Sequence, residues 1–173
     1  MKFQGTTIIV ALLFVFALVL APAASAEKPG ESIVEIASGN SDFSTLVSAV
    51  VKADLVDTLN GNRMFTVFAP TNAAFDAAAE SVLGPGATGP DLVDALDKKT
   101  LTTILLYHVA PGERFSEDVL AAERIRMMNK DFTLVDGTTI VGNSSAASLL
   151  APDLIDIDAK NGVIHAIDFV LLP

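Results

Sequence analysis

The segment from Phe65 to Phe75 changes its structural period at a proline, and this change constrains the fold more than any other feature. Its sequence is FTVFAPTNAAF. Phe65–Phe68 is rich in aromatic and β-branched residues, which is typical of a buried strand. Pro70 has no backbone N–H to give to a sheet, so we predict that the strand ends there. Thr71 then lies where a helix N-cap belongs, before an alanine-rich run that favours helix.

The N-terminus has the pattern of a secretory signal peptide over residues 1–26. Lys2 gives a basic start, Ile8–Leu20 is an unbroken apolar run, and small residues precede position 27, as the cleavage rule requires. The apolar run is shorter than the roughly 20 residues that a membrane span needs. We therefore predict one exported domain over residues 27–173, extracellular or, in a bacterium, periplasmic or cell-surface associated. With no apolar tail after Pro173, we expect no stable membrane insertion once the signal is removed.

Charge and cysteine content exclude several classes of function. The formal net charge is −10. It becomes −11 on removal of the signal, because Lys2 is the one charged residue there. An acidic chain argues against binding to nucleic acid or to anionic lipid. The chain has no cysteine, which excludes disulfides, thiol catalysis and thiolate metal sites.

Helical patterns dominate the first half of the chain and strand patterns the second. We predict helices at Glu31–Ala37, from a cap at Ser41 or Asp42 onward, at Asp54–Asn60, Asp91–Ala95, Thr100–Tyr107 and Ser116–Ala122. We predict strands at Arg124–Met128, Phe132–Val135, Thr138–Val141, Leu154–Ile157 and Val163–Leu171, with Asp136-Gly137 as a two-residue hairpin turn. This order indicates an α+β fold. The early strand must pair with the late ones, or its apolar face would stay in water.

Three segments resemble the signature motifs of fasciclin-type (FAS1) domains. The opening segment resembles F-T-V-F-A-P-T-[DN]-x-A-F. Leu105–Gly112, LLYHVAPG, resembles the central motif L-x-Y-H-V-x-P-G. Asn161–Pro173, NGVIHAIDFVLLP, resembles the closing motif N-G-V-I-H-x-I-D-x-V-L-L-P. The resemblance spans about Glu31–Pro173. It implies the FAS1 fold, in which helices of the N-terminal half pack on a small β-sandwich or wedge.

The resemblance also carries expectations about individual residues. It marks a set of structural positions, namely Phe65, Phe68, Pro70, Thr71, Phe75, His165 and Asp168. Asp168 lies among apolar neighbours and needs a partner, and we expect a bond to the backbone of the opening motif or to Thr66 or Thr71.

Tyr107 and His108 are the candidate partner-binding residues, and two interpretations stay open. In animal members of the family the equivalent segment is associated with receptor binding, which would need an exposed contact. The alternative is a half-buried histidine whose ring N–H bonds a carbonyl, with the tyrosine hydroxyl also satisfied. Asn143 begins the N-glycosylation sequon Asn-Ser-Ser and follows a predicted strand, which favours exposure.

The resemblance implies a secreted, non-enzymatic protein that mediates cell adhesion or binds a matrix or cell-surface protein or glycan. The sequence holds two histidines and neither H-E-x-x-H nor G-x-S-x-G, so it offers no catalytic motif. The alternative is a carrier of a small apolar ligand, because some members hold carotenoids. Met127, Met128, Phe132 and the strand Met64–Phe68 are the candidates to line a groove for a carotenoid or lipid.

Two apparent motifs are rejected, and no cofactor or metal is expected. Gly84–Gly89 matches G-x-G-x-x-G, but a helical pattern precedes it where a nucleotide site needs a strand. Asp156–Gly162 begins like a calcium loop, yet Lys160 stands at a ligand position and Ile167 replaces the closing glutamate. We interpret the second segment as a strand followed by a turn.

Overall fold

The computed structural model describes residues 30–150 and 152–173. The predicted signal peptide lies outside the described residues and stays a prediction. The described residues form seven α-helices, namely α1 (Ile33–Gly39), α2 (Ser44–Lys52), α3 (Val56–Leu59), α4 (Asn72–Leu83), α5 (Gly89–Ala95), α6 (Lys98–Tyr107) and α7 (Ser116–Ala121). Eight strands complete this part of the chain, namely β1 (Phe65–Pro70), β2 (Val109–Pro111), β3 (Arg124–Arg126), β4 (Phe132–Asp136), β5 (Thr139–Val141), β6 (Ala146–Ser148), β7 (Ile157–Ala159) and β8 (Gly162–Ile167).

The strands form two four-stranded sheets. The first sheet has the order β2-β1-β8-β7, and the second has the order β3-β4-β5-β6. β1 and β8 run parallel at the centre of the first sheet, while the other neighbouring pairs are antiparallel. The α+β prediction is thus confirmed, and so is the pairing of the early strand with a late one.

The opening corner is built as predicted. β1 ends at Pro70, and the side chain of Thr71 accepts a hydrogen bond from the backbone N–H of Ala74 at 3.3 Å, which caps α4. All six residues of β1 are buried, because helices cover one face of the first sheet and the second sheet covers the other. Such two-sided burial gives a continuous apolar run in place of an alternating pattern.

Two apolar cores lie on either side of the first sheet. On the helical side, Phe65 and Val67 of β1 join side chains from α1, α2, α4, α5 and α6. Between the sheets, Phe68 joins Tyr107 at the end of α6 and inward-facing residues of the second sheet such as Ile140. Successive side chains of β1 point to opposite faces, so this strand contributes to both cores.

Several predicted details differ from the structure. β2 and β6 were not predicted, because three-residue strands are too short to show a period of two. The hairpin turn is Gly137-Thr138, one residue later than predicted, since Asp136 still pairs with Thr139. The cap predicted at Ser41 or Asp42 is wrong, because both residues lie in a turn of 3₁₀ helix that precedes α2 and that Asn40 caps.

Asn161, in the turn between β7 and β8, joins the two ends of the described chain. The side-chain oxygen of this buried residue accepts from the backbone N–H of Ile33 at 2.9 Å. Its amide nitrogen donates to the carbonyls of Leu59 at 2.6 Å and Gly61 at 3.3 Å. The closing motif therefore fixes the position of α1 and α3 as well as that of β8.

Thr133 carries a buried hydroxyl that finds no hydrogen-bond partner among the described residues. We expect Thr133→Val to raise the free energy of unfolding by about 1 kcal/mol, because the shape is kept and an unpaired polar group is removed. Thr66→Val is the matched control. The hydroxyl of Thr66 is equally buried but donates to the Gly112 carbonyl and accepts from the Arg114 N–H. Denaturant unfolding should show that Thr133→Val raises the free energy of unfolding and that Thr66→Val lowers it. Destabilisation by both variants would contradict the unpaired state of the Thr133 hydroxyl.

Candidate functional site

The Tyr107 side chain lies between the two sheets and is fully buried. Its hydroxyl donates to the carbonyl of Phe132 at 3.0 Å and accepts from the backbone N–H of Asn143 at 3.1 Å. Burial is the main cause that raises the pKa of this hydroxyl above its ordinary value. Tyr107 therefore joins the end of α6 to β4 and to the turn after β5.

His108 is also inside the protein, with 2% of its surface exposed. Its Nδ1 lies 2.8 Å from the carbonyl of Ile104, and its Nε2 lies 2.9 Å from the backbone N–H of Leu171. A carbonyl can only accept and an N–H can only donate, so the ring is neutral with its proton on Nδ1. Burial lowers the pKa of His108 to about 4, against the opposing effect of the Ile104 carbonyl.

The burial of Tyr107 and His108 contradicts the prediction that these two residues contact a partner. Neither side chain reaches the surface, so neither is available to a partner in this conformation. The internal alternative was closer, although it expected only half-burial. The reason is position: the helix α6 ends between the two cores, and β2 follows at once into the first sheet.

His165 lies on β8 opposite Phe68 of β1 and is fully buried. Its Nε2 lies 2.9 Å from the Arg114 carbonyl, and its Nδ1 accepts from the backbone N–H of Asp156 at 3.2 Å. Burial lowers the pKa of His165, while the Arg114 carbonyl and the Asp156 carboxylate partly oppose this. The Asp156 carboxylate accepts from the N–H and the hydroxyl of Ser116, at the start of α7. The side chains of His165, Asp156 and Ser116 therefore join β8, the loop before β7 and the start of α7.

Asp168 follows β8, and its predicted partner is wrong. The carboxylate accepts from the backbone N–H of Ser148 at 2.6 Å, and the Asp168 N–H donates to the Ser148 carbonyl at 3.1 Å. The expected partner Thr66 bonds elsewhere, and Thr71 caps α4. Asp168 is exposed and joins the end of the first sheet to β6 of the second. β6 was not predicted, so this partner could not be found from the sequence.

Asn143 is exposed in the turn between β5 and β6. The sequon's Ser145 hydroxyl donates to the Val170 carbonyl at 2.9 Å and accepts from the Leu172 N–H at 2.7 Å. Asn143, the residue that would carry the glycan, thus lies at the surface, while Ser145 is bonded within the fold. Glycosylation of Asn143 stays a prediction.

The apolar groove predicted from Met127, Met128, Phe132 and Met64–Phe68 does not form. Met127 is buried between the sheets, whereas 45% of Phe132 is exposed on the opposite face of the second sheet. These residues are separated because Phe132 points to the outer face, Met127 packs between the sheets and Met128 packs against the core on the helical side.

Apolar space occurs instead among the helices. One cavity of about 230 Å³ lies between α1, α2 and α3, and Val34, Val47 and Val51 are among its lining residues. A second cavity of about 170 Å³ lies between α4, α5 and α6, with Phe75 and Ile104 among its lining residues.

The outer face of the second sheet has an unusual composition. We call it the β4 face and define it by Arg124, Arg126, Phe132 and Leu134, all of which are exposed. Ile125 and Thr133, between them in sequence, are buried on the inner face. In the register of β3 and β4, Arg124 lies opposite Leu134 and Arg126 lies opposite Phe132. The face therefore places two large apolar side chains beside two cations.

The side chain of Arg124 lies over the ring of Phe132. Its guanidinium carbon is 5.0 Å from the ring centroid, within the range of a cation–π contact. Phe132 and Leu134 have 45% and 56% of their surfaces exposed. Sequence reasoning assigned Phe132 to a ligand groove and did not single out Leu134. The period of two along β4, F-T-L-V-D, places both side chains on one face of the strand, but it does not say that this face points outward.

Comparison with known proteins establishes the family. The family model for the fasciclin domain matches residues 41–173. The chain therefore belongs to the fasciclin-domain family. Its fold is similar to a solved FAS1 domain pair from the insect cell adhesion molecule fasciclin I, with a TM-score of 0.63 and 18% identity. That likeness covers 83% of this chain and 51% of that one, and it supports the fold alone.

Relatives of this chain occur in bacteria and animals. The protein sll1483 of Synechocystis sp. is 42% identical over 144 residues, which cover 82% of this chain and 73% of that protein. The cell surface glycolipoprotein MPT83 of Mycobacterium tuberculosis is 33% identical over 159 residues, covering 88% of this chain and 65% of that protein. The transforming growth factor-beta-induced protein ig-h3 of Sus scrofa is 33% identical over 145 residues, covering 84% of this chain and 20% of that protein. The relatives thus include a cell-surface protein, and the chain spans about a fifth of ig-h3.

Among the described residues, every helix is too short or too polar to span a membrane. Within the same residues, no group of three or more histidine or acidic side chains is arranged to hold a metal ion.

Proposed function

We propose that this protein is an exported, non-enzymatic module that binds other macromolecules at or near the cell surface, in adhesion or matrix association. The observation that carries the proposal is the β4 face, where two large apolar side chains and two arginines face solvent. Exposed apolar groups beside arginine are typical of the centre of protein interfaces. The name of one relative, a cell surface glycolipoprotein, agrees with this function.

The state of the two histidines supports a non-enzymatic role. Both ring nitrogens of His108 and of His165 are bonded within the fold, and burial lowers the pKa of each. A general acid or base needs a ring nitrogen that reaches a substrate. These rings serve to hold backbone groups together instead.

The test is an adhesion assay with the exported chain, residues 27–173. Plates coated with the protein should retain host cells or extracellular material above the level given by an acidic, similarly sized control protein. Retention should fall when soluble protein is added as a competitor. Retention equal to the control at every coating density would contradict the proposal.

The second candidate is a carrier of a small apolar ligand, and the cavity between α1, α2 and α3 favours it. That cavity is lined almost wholly by apolar side chains and measures about 230 Å³. A pocket of this kind selects apolar ligands, because it has few polar groups to bond a polar one. The volume is below the roughly 300–1,000 Å³ of common ligand sites, so a long ligand would extend into solvent.

Protein purified from its native source distinguishes the two candidates. A carrier would show visible absorbance or a co-purifying lipid in mass spectrometry. Val47→Trp, which reduces the space between α1 and α2, should then lower the amount of ligand per protein. A colourless, lipid-free protein that still retains cells would exclude the carrier.

A further inference from the structure

The β4 face departs from the usual composition of a solvent-facing sheet surface. Antiparallel sheets with one wet face normally alternate apolar residues inward with polar residues outward. In β4 the inward positions are taken by Val135 and by Thr133, whose hydroxyl has no hydrogen-bond partner among the described residues, while Phe132 and Leu134 face out. Val141, opposite Leu134 on β5, is only partly covered and extends the apolar strip. Burial in the core does not account for this placement.

The charge at the centre of this face is opposite in sign to the net charge of the protein. The chain carries a net charge of −10, yet Arg124, Arg126 and Lys130 place three of its 11 lysines and arginines within seven positions. Neither arginine takes part in an ion pair within the described residues. Three exposed acidic residues lie at the ends of the two strands, namely Glu123 before β3, Asp131 before β4 and Asp136 at the end of β4. The centre of the face is therefore cationic and apolar.

The contact between Arg124 and Phe132 bears on the kind of partner. A sugar ring binds an aromatic side chain by stacking on its face, and the Arg124 guanidinium already lies over the Phe132 ring. The guanidinium still has N–H groups that can bond carboxylates in pairs. Phe132, Leu134 and Val141 offer a surface for apolar side chains. These features fit a protein surface with carboxylates around apolar residues better than they fit a polysaccharide.

From this geometry we infer that the β4 face binds an acidic protein segment that contains apolar side chains. This inference rests on the proposed function and names the surface and the partner chemistry. Carboxylates of the segment bond Arg124 and Arg126, and its apolar side chains cover Phe132 and Leu134.

The size of the face sets the strength of binding. Four strands about 4.8 Å apart and three to five residues long cover on the order of 300 Å². That is well below the roughly 800 Å² per partner of a stable interface, so one copy binds weakly and reversibly. The rest of the acidic surface repels an acidic partner little at physiological salt, because the Debye length is about 8 Å.

The experiment is an NMR titration of isotope-labelled protein, residues 27–173, with a short soluble peptide of glutamate and leucine. Backbone signals of Arg124, Arg126, Phe132 and Leu134 should shift together with the methyl signals of Leu134, with a dissociation constant on the order of 10⁻⁴ M. Affinity should fall several-fold between about 50 and 300 mM salt, since the charges are exposed.

Charge-reversal variants supply the matched controls. Arg124→Glu/Arg126→Glu should weaken binding by about tenfold or more, because attraction becomes repulsion at the site. Arg63→Glu/Lys99→Glu changes the net charge equally at exposed positions of the helical half, and it should weaken binding by less than about twofold. Equal losses from both pairs would overturn the inference, and so would shifts located away from the β4 face.

Other occupants give distinct results. If polygalacturonate shifts these signals and the peptide does not, the partner is a polysaccharide and the inference is wrong. If the signals shift with protein concentration alone, the occupant is a second copy of this chain, which also overturns it. Adhesion without peptide binding would leave the proposed function standing while this inference fails. Peptide binding without adhesion would leave this inference standing while the proposed function fails.

Discussion

Gly162→Ala should destabilise the protein by more than about 4 kcal/mol, enough to prevent folding in most small domains. Gly162 opens β8 directly beside Phe65 of β1. A Cβ on Gly162 would overlap the carbonyl oxygen and the nearby backbone atoms of Phe65. The glycine also has a φ of +148°, a conformation that other residues rarely adopt. Relief would require β1 and β8 to separate at the centre of the first sheet.

Gly86→Ala is the control variant, because it introduces backbone strain without a steric clash. Gly86 has a φ of +85°, but among the described residues no atom lies within 4 Å of the position that a Cβ would take there. We expect a loss of about 1–2 kcal/mol, from backbone strain alone. Both variants are compared by denaturant unfolding and by yield of folded protein. If Gly162→Ala were no more destabilising than Gly86→Ala, the close approach of β1 and β8 would be wrong.

The second large effect is a loss of stability between pH 7 and pH 4 that depends on His108. Its pKa is about 4 in the folded protein, against about 6.5 in the unfolded chain. Between these values the unfolded chain binds more protons, so stability falls as pH falls. The contribution is fully present above pH 6.5 and is lost as pH drops to about 4. A shift of this size corresponds to about 3 kcal/mol.

His165 adds to the same loss, because burial lowers its pKa as well. The carboxylates with lowered pKa values, such as Glu35 and Asp97, act in a different window. Their contribution is lost only below their ordinary values of about 4, so the histidine effect can be measured above pH 4.5.

The measurement is the free energy of unfolding from denaturant titrations at several pH values. His108→Gln should be less stable than the wild type at pH 7 by about 1–3 kcal/mol, because one of its two partners becomes unpaired. Its stability should also depend less on pH between 7 and 4.5. Wild-type stability that is constant across this range, or an equal slope in the variant, would contradict the proposed protonation state.

The sequence was sufficient for the parts of the fold with long or strongly marked patterns. Pro70 and Thr71 predicted the end of β1 and the start of α4, because a missing N–H and a capping hydroxyl act locally. The continuous apolar composition of β1 also predicted its burial. The pairing of β1 with a late strand followed from the need to keep an apolar strand out of water, although the sequence did not single out β8 as that strand.

Features that depend on long-range neighbours could not be predicted. The partner of Asp168 lies on β6, whose three residues carry no recognisable pattern. The burial of Tyr107 depends on the second sheet covering the end of α6, and His108 is bonded to the C-terminal segment at Leu171. The β4 face depends on which side of β4 points inward, and a strand flanked by two short neighbours does not reveal its inner face.

The central claim is that this protein binds its partners through the β4 face, and adhesion of two matched variants tests it most directly. Phe132→Ser/Leu134→Ser removes the apolar side chains of the face. Val82→Ser/Leu83→Ser removes a pair on α4 with similar exposure, 55% and 46%. Coated at equal density and checked for folding, the first variant should lose most retention of cells or matrix, and the second should keep it. Full retention by the first variant, or equal loss by both, would contradict the claim.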